Sequence, residues 1–256
     1  MLRGETHTGV TLQTLHPTEF DAGVVLDQTP EPGVSIPNPT SYSYADLRNI
    51  SAAMAAEMLV KAIRERSFIP PYRHIREGSG KRGTRAPSFA PKIEPRMRCL
   101  DFLTMDSSQI LRMNRALAPL WAEARFTNGR STTSVIFDSD IHLANPTVLP
   151  EWDRKIISTI EPGLPFVLLD EQNRLEFASA PIMINTIDGK TLIVPTLKMP
   201  GTTYRPAAAL AKGAALLTKS TQQHGERIRA FHQPLRAPDD IRPYVKSLWD
   251  AAGKIT

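Results

Sequence analysis

An α/β segment followed by a small β-barrel is the fold class that this sequence predicts, and three observations predict it. A strand, loop and strand at residues 8–26 lead into a long amphipathic helix. A proline- and glycine-rich basic stretch, 70–98, then interrupts all periodicity. Beyond it, between Thr132 and Leu197, come short β-rich runs punctuated by Gly, Pro and Asp, with one helix nearby. The chain has 256 residues, 41% of them hydrophobic, which is enough for one large domain or two small ones. The boundaries this reading sets are 1–69 for the α/β part, 70–98 for a linker, 99–218 for the barrel and 219–256 for a polar, basic extension.

Thr8 to Leu15 alternates and is rich in β-branched residues, as a strand is, and Gly23 to Leu26 begins a second one. Between them Asp21 lies in a loop beside Gly23, a residue that lets the backbone bend closely around a ligand. On residue types alone, Asp21 reads first as a surface turn acid and second as a ligand-facing one. Residues 28–42 hold Pro30, Pro32, Pro37 and Pro39 and suit a crossover loop. Ser43 with Asp46 then forms a capping pattern. The helix it starts carries Leu47, Ile50, Met54, Met58 and Ile63 on one face and ends before Pro70.

A second helix is expected from Ser107 to Leu117, capped by Asp106 and Gln109 and stopped by Pro119. The barrel strands are expected at Thr132–Phe137, Ile156–Ile160, Leu164–Leu169, Leu175–Ala178, Ile182–Ile187 and Thr191–Leu197. Asp188-Gly189 forms a hairpin turn between the last two, and residues 142–152 read as an inserted loop. A helix over Pro206–Leu217 closes the barrel. In the extension, Asp239 and Asp240 cap a short helix bearing Ile241, Val245, Leu248 and Trp249, with Trp249 docking it onto the body.

Net charge is +5, and it is unevenly placed: Lys61 to Arg98 hold eleven basic residues against three acidic. Local basicity of this kind suits either a solvated linker or a strap facing a polyanion. The single cysteine, Cys99, excludes an internal disulfide and fits a reducing compartment; it reads as an inert, partly buried thiol. His7 reads as an exposed strand-edge residue, and His74, His142, His224 and His232 lack partners at metal spacing, so no metal is assigned. No apolar run reaches the length that spans a bilayer.

The opening residues, Gly4-Glu5, Thr8-Gly9-Val10-Thr11-Leu12 and Phe20-Asp21-x-Gly23, resemble the end of the formyltransferase domain of methionyl-tRNA formyltransferases. Weaker matches follow at Ala90-x-Lys92, Leu100-Asp101-Phe102 and Arg115-Ala116-Leu117-Ala118-Pro119, where Leu117, Ala118 and Trp121 depart from the family pattern. The resemblance implies the end of a Rossmann-like formyltransferase domain followed by an OB-like, tRNA-binding barrel of organellar, mitochondrial type, acting as a monomer. It also implies 10-formyltetrahydrofolate as co-substrate and initiator methionyl-tRNA as partner.

By the same resemblance Asp21 is the catalytic Asp of an Asn, His, Asp set, and His16, Phe20 and Gly23 border the pterin. Lys92, Arg96, Arg98 and Arg115 face the tRNA. The chemistry needs a neutral amine attacking a formyl carbon, a stabilised oxyanion and a moving proton, and an ionised Asp serves it by favouring the charged form of a neighbouring His. The family's Asn and His precede the opening strand; His16-Pro17-Thr18 follows it and is not their equivalent. The chain is therefore expected to hold only part of the active site, to be inactive alone, and to leave its opening strands with exposed edges. Two other readings stay open: a non-catalytic RNA-binding module, and another folate-dependent formyltransferase.

Overall fold

The computed structural model describes residues 1–19, 22–38, 41–72, 92–169, 179–218 and 228–253. Chain contacts divide it into two compact units, Arg3–Lys92 and Ile93–Thr256.

The first unit is a two-stranded ribbon with one helix against it. β1 (His7–Thr8) and β2 (Thr11–Gln13) run antiparallel to β4 (Val34–Ser35) and β3 (Val25–Gln28) respectively. The ladder breaks at Gly9-Val10, where the Thr29 side chain substitutes for a strand, its hydroxyl oxygen accepting from the Val10 N–H at 2.9 Å. Helix α1 (Tyr44–Glu65) begins at the expected capping box of Ser43 and Asp46 and ends on Arg66 in the left-handed region. It packs on β2 and β3 through Leu47, Ile50, Met54, Met58 and Ala62. Ile63, expected on that face, is 55% exposed; a 3.6-residue period returns to Ala62 after Met58, and Ile63 drifts off the stripe. Among the described residues of this unit only Ile36 and Ala62 are buried apolar side chains, and neither β2 nor β3 has a second strand neighbour. Among the described residues, no further strand covers either edge of this ribbon.

The second unit holds the hydrophobic core. A 3-10 turn, Pro95–Arg98, leads to the buried run Cys99-Leu100 and then to α2 (Ser107–Leu117), capped by Asp106 and Gln109 as the sequence predicts. β5 (Leu120–Arg125) and β6 (Thr132–Phe137) follow, then β7 (His142–Leu143), α3 (Glu151–Ser158), β8 (Pro165–Leu168), β9 (Ile182–Asn185) and β10 (Thr191–Val194). β11 (Thr196–Lys198), β12 (Arg205–Pro206), α4 (Ala207–Gly213), β13 (Ile228–Ala230) and α5 (Arg242–Gly253) complete it. Every ladder between named strands is antiparallel.

The expected barrel is not closed. The strands form a five-stranded sheet, β13-β8-β9-β10-β7, and a four-stranded sheet, β12-β11-β6-β5. Pro195 separates β10 from β11, so one extended run passes from the first sheet into the second. A proline has no N–H for a ladder, and strands that change sheets bend at such points. Phe102 and Phe137 meet in the shared core with ring centroids 5.8 Å apart, among Leu120, Phe166, Ile184, Leu192 and Leu197.

Three further expectations changed. Ile156 and Ile157 lie in α3 and not in a strand. β5 was not foreseen. Residues 142–152, read as a loop, contain β7 and the start of α3. The expected strand Leu175–Ala178 lies outside the described residues, as does the Trp249 side chain. The C-terminal stretch enters the core: β13 pairs with β8, and Leu235, Ala237 and Val245 are buried. No helix among the described residues is long and apolar enough to cross a membrane.

The Asp188-Gly189 turn also fastens α2. The Asp188 carboxylate accepts from the Ser107 N–H at 3.0 Å, the Ser107 hydroxyl at 2.7 Å and the Thr186 hydroxyl at 2.6 Å, and the Lys190 ammonium lies 3.4 Å away. Burial alone would raise its pKa; the hydrogen bonds from Thr186, Ser107 and Lys190 outweigh that and hold it well below the usual carboxylate range. A depressed folded-state pKa gives stability that is complete above the unfolded value and fades as pH falls through the folded one. Asp188→Asn is expected to cost about 2 kcal/mol at pH 7 and to flatten the loss of stability below about pH 4. Urea titrations across pH would refute this if the curves of the wild type and the Asp188→Asn variant ran parallel.

Candidate functional site

The candidate loop of the first unit, residues 15–23, is clamped at its base. The Thr14 N–H donates to the Val24 carbonyl at 2.9 Å, and the Val24 N–H donates to the Thr14 hydroxyl oxygen at 2.9 Å. Gly23 belongs to this clamp. A Cβ built there would lie 1.6 Å from the Thr14 carbonyl oxygen, so any side chain would force the ribbon apart. The glycine expected to admit a ligand is thus required first by its own partner strand.

His16 stands exposed within the loop. Its Nδ1 accepts from the Glu19 N–H at 3.1 Å and from the Thr18 N–H at 3.4 Å. Phe20 and Asp21, the expected pterin neighbour and catalytic acid, lie outside the described residues, as does the 73–91 part of the linker. Lys92 is exposed.

The expected basic residues of the second unit differ in what holds them. Arg96 is engaged twice: it pairs with Glu94, and its guanidinium lies 3.9 Å from the centroid of the Tyr244 ring. The hydrogen bond that it donates to the Glu94 carboxylate is the main reason its pKa is raised. Arg98 is half-buried and lines a cleft of about 500 Å³ with Trp121, Ser134 and Ile136. Arg115 sits on α2, its Nε buried without a hydrogen-bond partner. Burial, then the charge of Arg112 one turn away, pushes its pKa down. Arg96 is thus held by two partners, whereas Arg98 has no ion pair among the described residues and the Arg115 Nε is buried without a hydrogen bond.

Asp101 and Cys99 belong to the framework. Asp101 is fully buried, with the Nε of Arg242 3.4 Å from its carboxylate. Cys99 is fully buried too. Burial first, then Asp101, Glu123 and Asp240, push its thiol up to about 12. Iodoacetamide at pH 7.5 should label Cys99 in the denatured chain and leave it unlabelled in the native one; comparable labelling of both would refute this. Among the described residues no group of His, Cys, Asp and Glu comes together as metal ligands.

Sequence reading noted Trp121 only as a departure from a pattern and passed over Arg112. Arg112 was detectable, because it stands three residues before Arg115 and shares its helix face. Trp121 was not, because its neighbours come from other strands.

No family model matches the chain. The chain is similar to mitochondrial methionyl-tRNA formyltransferases: 28% identical over 145 residues to that of Saccharomyces cerevisiae, covering 51% of this chain and 35% of the yeast protein. It is 28% identical over 119 residues to that of Homo sapiens, covering 46% and 27%. With that of Rattus norvegicus it is 27% identical over 169 residues, covering 64% and 38%. It therefore spans about a third of the length of the curated relatives it matches.

Proposed function

We propose that this chain carries the closing part of the formyltransferase domain and the tRNA-binding domain of a mitochondrial methionyl-tRNA formyltransferase. Such a transferase moves the formyl group of 10-formyltetrahydrofolate to the amino group of initiator methionyl-tRNA at the start of translation. The observation that carries this reading is the similarity of about half the chain to enzymes of that name in yeast and mammals. The clamped loop at the end of an open-edged ribbon supports it. So does the unpaired Nε of Arg115 on α2.

On this reading residues 1–69 end a Rossmann-like domain, and Asp21 keeps a catalytic His charged and oriented. Residues 16–23 border the pterin, with His16 shaping the loop. The two sheets of the second unit form an opened-out, OB-like body in the mitochondrial matrix. There Lys92, Arg98 and Arg115 meet tRNA phosphates, contacts that position without reading sequence, while Arg96 is held in its pairs with Glu94 and Tyr244. The Asn and His of the active site come from outside these 256 residues.

The test is formyl transfer from 10-formyltetrahydrofolate to methionyl-tRNA by this chain, alone and with the first part of the yeast formyltransferase domain added as a separate polypeptide. The expected result is salt-sensitive tRNA binding in both cases and turnover only in the second. Turnover by the chain alone would overturn the assignment of the Asn and His. Salt-insensitive or absent tRNA binding would overturn the role of the second unit. Binding with no turnover in either case would favour the non-catalytic RNA-binding reading.

A further inference from the structure

We propose that the cleft beside Trp121 is a stacking site for one unpaired nucleotide of an RNA, with the base on the indole and the phosphate at Arg98. The choice of ligand rests on the RNA-binding role proposed for the second unit; the site itself rests on geometry. Along β5, Leu120, Ala122 and Ala124 are buried and Trp121, Glu123 and Arg125 are not, so Trp121 stands on the outer face of the four-stranded sheet. Strand register sets Trp121 opposite Ile136 on β6 and Ile136 opposite Lys198 on β11. The Lys198 ammonium in turn lies 4.5 Å from the centroid of the Tyr204 ring. The row Trp121, Ile136, Lys198 on one sheet face, with Tyr204 beside Lys198, thus sets two aromatic rings and one ammonium close together, a surface of the kind on which bases stack while phosphates are neutralised.

The indole is fixed in advance. Its Nε1 donates to the Pro95 carbonyl at 3.0 Å, so little rotamer freedom is lost when a ligand arrives. The cleft, about 500 Å³, is walled by Ile93, Ile136 and Pro200 and carries Arg98 and Ser134 as its polar groups. That volume and that balance of walls to polar groups suit a nucleoside-sized ligand. The charge has a direction. Arg98 has no ion-pair partner among the described residues, whereas Asp138 and Asp140 lie near Tyr204 at the other end of the row. The phosphate therefore goes to Arg98. An unpaired nucleotide is required because bases in a duplex are already stacked on one another.

The experiment measures anisotropy of fluorescein-labelled hexa-adenylate RNA with the full chain. Trp121→Ala is expected to weaken binding about five- to a hundredfold, and Trp121→Phe much less. Arg98→Gln should reduce the slope of log affinity against log salt by about 0.7. In a chain with Trp152→Phe and Trp249→Phe, the emission of Trp121 should be quenched by the oligonucleotide, a readout that stands even if the alanine variant fails to fold. Unchanged emission at saturating RNA would overturn the site, as would equal binding by wild type and the alanine variant, or by a duplex of equal length. Trp121-dependent hexa-adenylate binding without formylation in the complemented assay would leave the site standing and sink the formyltransferase reading. Formylation with no effect of Trp121 on hexa-adenylate binding would do the reverse.

Discussion

Arg242→Ala is expected to destabilise the second unit by about 3–5 kcal/mol, the cost of stranding a buried charge. The partner it abandons is Asp101, fully buried, with its Oδ2 3.4 Å from the Arg242 Nε and no hydrogen bond to that oxygen. Among the described residues its other oxygen accepts from the Leu103 N–H at 3.3 Å. Without Arg242 the carboxylate must take a proton or pull in water. The reverse substitution, Asp101→Ala, should cost less charge energy: Arg242 is 32% exposed and keeps Asp239 at 3.1 Å. Urea midpoints of the two variants at pH 7 measure this, and an equal deficit in both would defeat the explanation.

Asp21→Asn should lower formyl transfer in the complemented assay by about two to four orders of magnitude, the usual worth of a positioned acid–base pair. The substitution keeps the side chain's shape and removes its charge. On the proposed reading a neighbouring His then loses the anion that favours its protonated form, while tRNA binding is assigned to the second unit. Turnover should fall, therefore, with tRNA affinity unchanged. A fall in both would point to collapse of the 15–23 loop, and turnover within a few-fold of wild type would remove Asp21 from the mechanism.

Elements with strong local signals were the legible ones. α1 and α2 both start where a capping box satisfies the first free N–H groups, and such boxes are written within four residues. The Asp188-Gly189 turn was legible for the same reason. Ile156-Ile157 misled because a short β-branched run suits a strand or one face of a helix alike; Glu151 and Asp153 in the first turn, and Lys155 near the end, are what favour α3. β5 escaped because its inward positions after Leu120 are alanines, Ala122 and Ala124, poor strand formers whose small size suits a tight interior. Asp21 could be singled out only by resemblance, since an acid beside a glycine has many uses. The Trp121 face was illegible in principle: its members lie on β5, β6 and β11 and meet only through strand register.

The entry of the last residues into the core bears on the order in which the second unit is made. β13 closes on β8, the Glu123 N–H donates to the Arg236 carbonyl at 2.9 Å, and Arg242 reaches back to Asp101. A nascent chain that has emerged only as far as residue 218 therefore exposes the edge of β8, one side of β5 and a buried carboxylate without its counter-ion. Pairings so distant in sequence are slow to form, and open strand edges are templates for self-association. The packing of β8, β5 and Asp101 in this unit therefore depends on contacts supplied by residues 228–242.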